Sequence, residues 1–207
     1  MRMSELSAES GVPIATIKYY LREGLLHQGE QTSATRAAYD GTHLRRLRLI
    51  RALLEVGRLP VSSIKKVVEA VEDESLPVHE MLGTAHYALS PAVEREPTAE
   101  WDEALAEVDS LLAGFGWEVE PEAPARHELA HTLVRMRRLG HTPDLAPYAA
   151  AAGRLVEEVE IGKVPFDGPR DAAVEALVLG TVLYGRAFDA LRRLAQESAS
   201  ARRLSGR

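Results

Sequence analysis

The sequence predicts a mainly α chain: a helix-turn-helix unit at the N-terminal end, followed by an all-α remainder. Three observations predict it. Apolar residues return at i, i+3 or i+4, and i+7 in segment after segment, while strand-like alternation is confined to residues 27–38. Of the 207 residues, 45% are apolar, 27% charged and only 5% aromatic, so the core is expected to be Leu, Val and Ala. The charge divides along the chain. Residues 1–70 carry 11 Lys and Arg against 7 Asp and Glu, whereas residues 71–207 carry 14 against 24. A basic end with a separate acidic part points to a polyanion as partner of the first 70 residues.

The elements follow in order. Ser4 is expected to cap a short helix over residues 5–10, and Gly11 supplies the left-handed residue of a tight turn. Pro13 then opens a helix over Ile14–Glu23, with Ile14, Ile17 and Leu21 as its buried stripe and Gly24 as its end. Residues 27–38 are polar and read as an exposed loop or short hairpin. Asp40 caps a third helix, striped by Leu44, Leu47, Ile50, Leu53 and Leu54, and Gly57 ends it. A fourth helix follows Pro60, with Val61, Ile64, Val67, Val68 and Val71 apolar. Past a polar junction at 72–75, helices are expected over Val78–Leu89, from a Thr98 cap to about Gly114, over Arg126–Leu139, from Thr142-Pro143-Asp144 to about Ile161, and from Asp167-Gly168-Pro169-Arg170-Asp171 to Ser198 or beyond.

A short helix, a Gly turn and a second helix with polar exposed positions form a helix-turn-helix arrangement. With Ile14, Ile17 and Leu21 inside, Ala15, Thr16, Lys18, Tyr19 and Arg22 are the expected DNA-facing residues. Lys and Arg reach phosphates or guanine edges, hydroxyls bond phosphates, and Ala permits close approach. Arg36, Tyr39, Arg45, Arg46 and Lys65 are expected to add backbone contacts.

The blocks Met3-Ser4-Glu5-Leu6, Ser10-Gly11-Val12, Thr16-Ile17-Lys18-Tyr19-Tyr20, Gly24-Leu25-Leu26, Tyr39 and Leu44 to Ile50 agree in order and spacing with one family. The first 70 residues resemble the N-terminal domain of MerR-type transcription regulators. That resemblance implies a winged helix-turn-helix over residues 1–71, with the second helix in the major groove, wings on the backbone and Tyr39 closing the first wing. It also implies a homodimer on double-stranded promoter DNA that distorts the site for RNA polymerase when an effector binds. Two departures stand out. The wing has Ala37 where the family places an arginine, with Arg36 one position earlier, and the second helix carries Lys18 where the family often has Arg. The remainder is expected to divide into a connecting or dimerisation segment, 72–97, and an all-α effector or dimerisation domain, 98–207. Val78–Leu89 and the helix around 173–191 are the expected dimer surfaces.

Other chemistry is excluded or set aside. The absence of Cys removes disulfides, thiolate metal sensing and iron–sulfur clusters, leaving a small organic effector or none. No phosphate-binding Gly loop or nucleophile elbow occurs, so no cofactor and no enzyme activity are expected. Ser62-Ser63-Ile64-Lys65 matches S-x-x-K without its companion motifs. His127-Glu128-Leu129-Ala130-His131 matches the zincin run, but the stripe Leu129, Leu133, Met136 and Leu139 turns both His toward solvent, so His127 and His131 are not expected to hold metal. A zinc metallohydrolase, or an architectural DNA-binding protein without an effector, are the alternatives. The seven aromatic residues Trp101, Phe115, Trp117, Tyr148, Phe166, Tyr184 and Phe188 are expected to be core in preference to lining a ligand pocket. No leader and no clean apolar span are visible, which makes a cytoplasmic protein without membrane contact the expectation.

Overall fold

The computed structural model describes residues 1–33 and 36–205. The fold is mainly α, with one two-stranded sheet, and the chain forms two compact units. Met1–Ala88 and Val164–Arg207 make the first, and Leu89–Lys163 the second, so the first unit is discontinuous along the chain.

In the first unit, α1 (Met3–Ser10) and α2 (Ile14–Glu23) flank the expected turn. Gly11 has φ 68°, a conformation that costs glycine nothing and other residues a clash with Cβ. The Ser7 hydroxyl donates to the Val12 carbonyl at 2.7 Å, and Ser10 Oγ accepts from the Val12 amide at 3.2 Å, fixing the turn. Ser4 lies within α1 and is not its cap; Arg2 holds the cap position and its amide donates to Glu5 at 2.6 Å. The buried stripe of α2 is Ile17 and Tyr20, with Leu21 half-buried; Ile14 is exposed, correcting the expected phase at the first turn.

The polar stretch forms a hairpin, β1 (Glu30–Ser33) and β2 (Arg36–Ala38), antiparallel with Glu30 opposite Ala38 and Gln31 opposite Ala37. Ala34 and Thr35 lie outside the described residues. Tyr39 is buried, and its ring lies so close to Gly29 that a Cβ there would fall 2.9 Å from it and 2.6 Å from the Ala38 carbonyl. Helix α3 (Gly41–Arg51) starts at the Asp40 cap as expected and runs into a π-helical turn, Ala52–Val56. Leu47, Ile50 and Leu53 are buried, with Ile64, Val67 and Val68 of α4 (Val61–Glu72) and Met81 and Ala85 of α5 (Val78–Leu89).

The helix from Arg170 is one continuous run: α9 (Arg170–Leu179), a π-helical turn over Gly180–Tyr184, and α10 (Gly185–Leu204). Ala173, Val174 and Val178 are buried in the first unit. The Arg170 guanidinium donates to the carbonyls of Ala70, Val71, Asp73 and Leu76, each at 3.0 Å, satisfying groups that the end of α4 leaves open. Arg46, expected at phosphates, is instead 5% exposed. Its Nε meets Asp171 at 2.8 Å and its Nη1 meets Glu72 at 2.7 Å.

The second unit is built on α6 (Ala99–Gly114) and α7 (Pro124–Arg138), with Trp101, Ala104, Val108, Ala130, Leu133 and Val134 as its core. Thr98 caps α6 as expected, its hydroxyl accepting from the Trp101 amide at 3.3 Å. α8 (Ala146–Leu155) starts later than Thr142-Pro143-Asp144 suggested, and the Asp144 carboxylate accepts from Ala146 N at 3.0 Å. His127 corrects the expected helix phase. It is 7% exposed, stacks on Trp101 with ring centroids 6.2 Å apart, and lies 3.1 Å from an Arg95 guanidinium nitrogen. His131 is half-buried, and neither joins a cluster of three His, Asp or Glu donors among the described residues. Of the seven aromatics only Trp101 is buried; Phe115, Tyr148, Phe166, Tyr184 and Phe188 are exposed, against the expectation of core. No helix among the described residues is long and apolar enough to cross a membrane.

Candidate nucleic-acid interface

Helix α2 is held from three sides. Ile17 and Tyr20 anchor it in the core, the Arg51 guanidinium contacts the Ser10 carbonyl at 3.4 Å before the turn, and Lys65 of α4 pairs with Glu23 at its end, 3.0 Å away. Its free side carries Ala15, Lys18, Tyr19 and Arg22, all exposed and spaced i, i+3, i+4 and i+7. Thr16 is half-buried beside them. Burial pushes the Tyr20 hydroxyl above the usual phenol range, with the Glu55 charge adding to the rise.

The charges of this unit sort by pairing. Arg46, Arg51 and Lys65 each hold a carboxylate. Among the described residues Lys18, Arg22, Arg36 and Arg45 form no ion pair. Unpaired cations on an exposed helical face remain free to neutralise phosphates. Arg36 stands exposed on β2. Arg45 is half-buried with its Nε out of solvent and without a partner, and its guanidinium lies 3.6 Å from where a Cβ on Gly41 would be, over the start of α3. Lys65 is engaged with Glu23, and Tyr39 works from inside the wing. Its amide donates to the Met1 carbonyl at 2.8 Å and its carbonyl accepts from the Met1 amine at 2.6 Å, tying the N-terminus to the wing. The pairing pattern is what sequence reading missed: Arg45 and Arg46 are neighbours in sequence, and only their positions around α3 separate an unpaired cation from a buried, paired one.

A helix-turn-helix, a hairpin wing and a basic exposed second helix define a DNA-binding transcription regulator. The comparisons specify it further. Residues 1–71 match the description "MerR HTH family regulatory protein". Over 68 residues the chain is 35% identical to nodulation protein NolA of Bradyrhizobium elkanii, covering 33% of this chain and 31% of NolA. It thus spans about a third of the length of that curated relative. The match to SCO5550 of Streptomyces coelicolor A3(2), a crystal structure described as a candidate transcriptional regulator, covers nearly everything. It has TM-score 0.78 and 38% identity over 98% of this chain and 97% of that one. Residues 1–71 belong to the MerR-type helix-turn-helix regulators.

Proposed function

We propose that the chain is a homodimeric regulator that binds two-fold-symmetric promoter DNA through residues 1–71 and distorts it in response to a signal, acting on RNA polymerase indirectly. The observation that carries this reading is the exposed α2 face, where Lys18 and Arg22 are unpaired beside Ala15 and Tyr19 while neighbouring cations are neutralised. In it, Ala15, Thr16, Lys18, Tyr19 and Arg22 approach the major groove, Arg36 and Arg45 contact the backbone, and Lys65 and Tyr39 hold the reading elements in place. DNA distortion costs several kcal/mol, which added protein contacts must supply.

A two-fold site needs a two-fold protein. The exposed apolar residues Leu183, Tyr184, Phe188, Leu191 and Leu194 on the last helix support self-association there, whereas α5 turns Met81, Leu82 and Ala85 into its own unit. The second unit, Leu89–Lys163, supplies the effector side. A cavity of about 300 Å³ there, bordered by Leu111, Leu133, Pro143 and Leu145 with Glu107 and Asp144, suits a small organic effector.

The test is fluorescence anisotropy on operator DNA selected from a random pool, with Lys18→Ala and Arg22→Ala. Each loses affinity, and each lost phosphate contact lowers the slope of log affinity against log salt by about 1. Unchanged affinity and slope in both variants, with helicity intact, would refute the assignment.

A further inference from the structure

Three residues that play no part in the DNA reading converge at the base of the wing. His27 lies between α2 and β1, Asp40 precedes α3, and His43 sits in the first turn of α3. One donor atom from each lies within 4.8 Å of those of the others, and the two imidazole centroids are 3.9 Å apart with their planes at 40°. His43 is 4% exposed, and its Nε2 is buried without a hydrogen-bond partner. Its Nδ1 meets two Asp40 groups, the carboxylate Oδ1 at 2.9 Å and the backbone amide at 3.1 Å. The backbone amide can only donate, so it uses the Nδ1 lone pair, the one a cation beside the Asp40 carboxylate would take.

We propose that His27 and His43, with Asp40, form a site for one borderline divalent first-row cation of the Zn²⁺ class. Two imidazoles and a carboxylate suit Zn²⁺, Co²⁺ or Ni²⁺; Ca²⁺ and Mg²⁺ require oxygen donors, and no cysteine exists to recruit softer ions. The Thr42 hydroxyl holds the open arrangement, donating to Asp40 Oδ1 at 2.5 Å and lying 2.9 Å from His27 Nε2. Ligands about 2.0–2.1 Å from a tetrahedral ion stand about 3.3 Å apart, so the donors close by up to about 1.5 Å on binding. The neighbouring Arg46 charge opposes a cation, but Glu72 and Asp171 neutralise it. An ion here pins the two ends of the hairpin to each other. Its bearing on operator affinity rests on the DNA reading; its binding does not.

The experiment uses untagged full-length chain stripped with chelator, titrated with Zn²⁺ alone by calorimetry and with Co²⁺ alone by visible absorption. One equivalent binds, and Co²⁺ gives the intense bands of low-symmetry nitrogen and oxygen coordination. His27→Gln weakens binding by at least about tenfold, His43→Gln does the same, and Thr42→Val keeps it. His27 takes no part in the buried core, so its variant carries the test even where the His43 variant fails to fold. No saturable binding, equal binding by wild type and His27→Gln, or loss of binding on His127→Gln with His131→Gln instead, would overturn the assignment.

Discussion

Replacing Arg46 by Ala tests whether the helix from Arg170 is an integral part of the first unit. The side chain is 5% exposed and bridges Asp171, itself 18% exposed, and Glu72, half exposed. Removing it leaves the Asp171 carboxylate in a largely dry setting without its cation. Breaking a buried pair from one side costs about 3–5 kcal/mol. Glu72 returns to water and its share is at most about 1 kcal/mol. The expected loss is about 3–4 kcal/mol, or a Tm lowered by about 6–16 °C for a chain of this size. Asp171→Asn keeps the Glu72 contact and a hydrogen-bond acceptor, so it costs less, about 1–2 kcal/mol. The double variant falls short of the sum, with a coupling of about 1–3 kcal/mol. The measurement is urea unfolding of the full chain followed by circular dichroism, fitted for the transition that Arg46→Ala moves. A midpoint for Arg46→Ala within about 0.5 kcal/mol of wild type, at unchanged slope, would show that the pair is not desolvated and that the reasoning fails.

Three further outcomes are expected. Gly29→Ala brings a Cβ to 2.6 Å from the Ala38 carbonyl and 2.9 Å from the Tyr39 ring, so it destabilises the wing by about 1–3 kcal/mol; faster hydrogen exchange across residues 27–40 is the check. The Arg126 guanidinium, 2.6 and 2.7 Å from the two Asp109 oxygens, holds that carboxyl below the usual carboxylate range. A depressed folded pKa stabilises above the unfolded value near pH 4 and the contribution is lost as pH falls through the folded one. Asp109→Asn should therefore cost about 1 kcal/mol or less at pH 7, since Asp109 is half exposed, and the gap should narrow as pH falls below the unfolded value in a pH series of melts. His127→Ala removes a buried ring stacked on Trp101 and is expected to cost about 1–2 kcal/mol by thermal melting; a neutral substitution would restore the solvent-facing assignment.

The elements were legible because local chemistry sets them. Gly11 and Gly24 punctuate α1 and α2 through a left-handed φ, Asp40 and Thr98 cap helices through their own oxygens, and the polar stretch at 27–38 became a short hairpin. The face Ala15, Lys18, Tyr19 and Arg22 followed from period 3.6 alone, and the family followed from ordered motif blocks. The sequence by itself therefore determined the mainly α class, the helix-turn-helix and the side of α2 that stays free.

Tertiary structure decided what depends on residues distant in sequence. Arg46 is buried only because Asp171, 125 positions away, reaches it, so no local pattern separated it from Arg45. His127 is covered because α6 offers the Trp101 ring to its side of α7, which a single-helix wheel does not contain. On the last helix Val174 and Val178 lie in the first unit's core while Phe188 and Leu191 remain exposed, because its first half packs against α3 and α4. His27 and His43 lie sixteen positions apart with an unremarkable spacing, and they meet because the hairpin returns the chain to its starting point. Periodicity reports which side of an element is apolar; burial and pairing are properties of two surfaces, and the second surface is supplied by the fold.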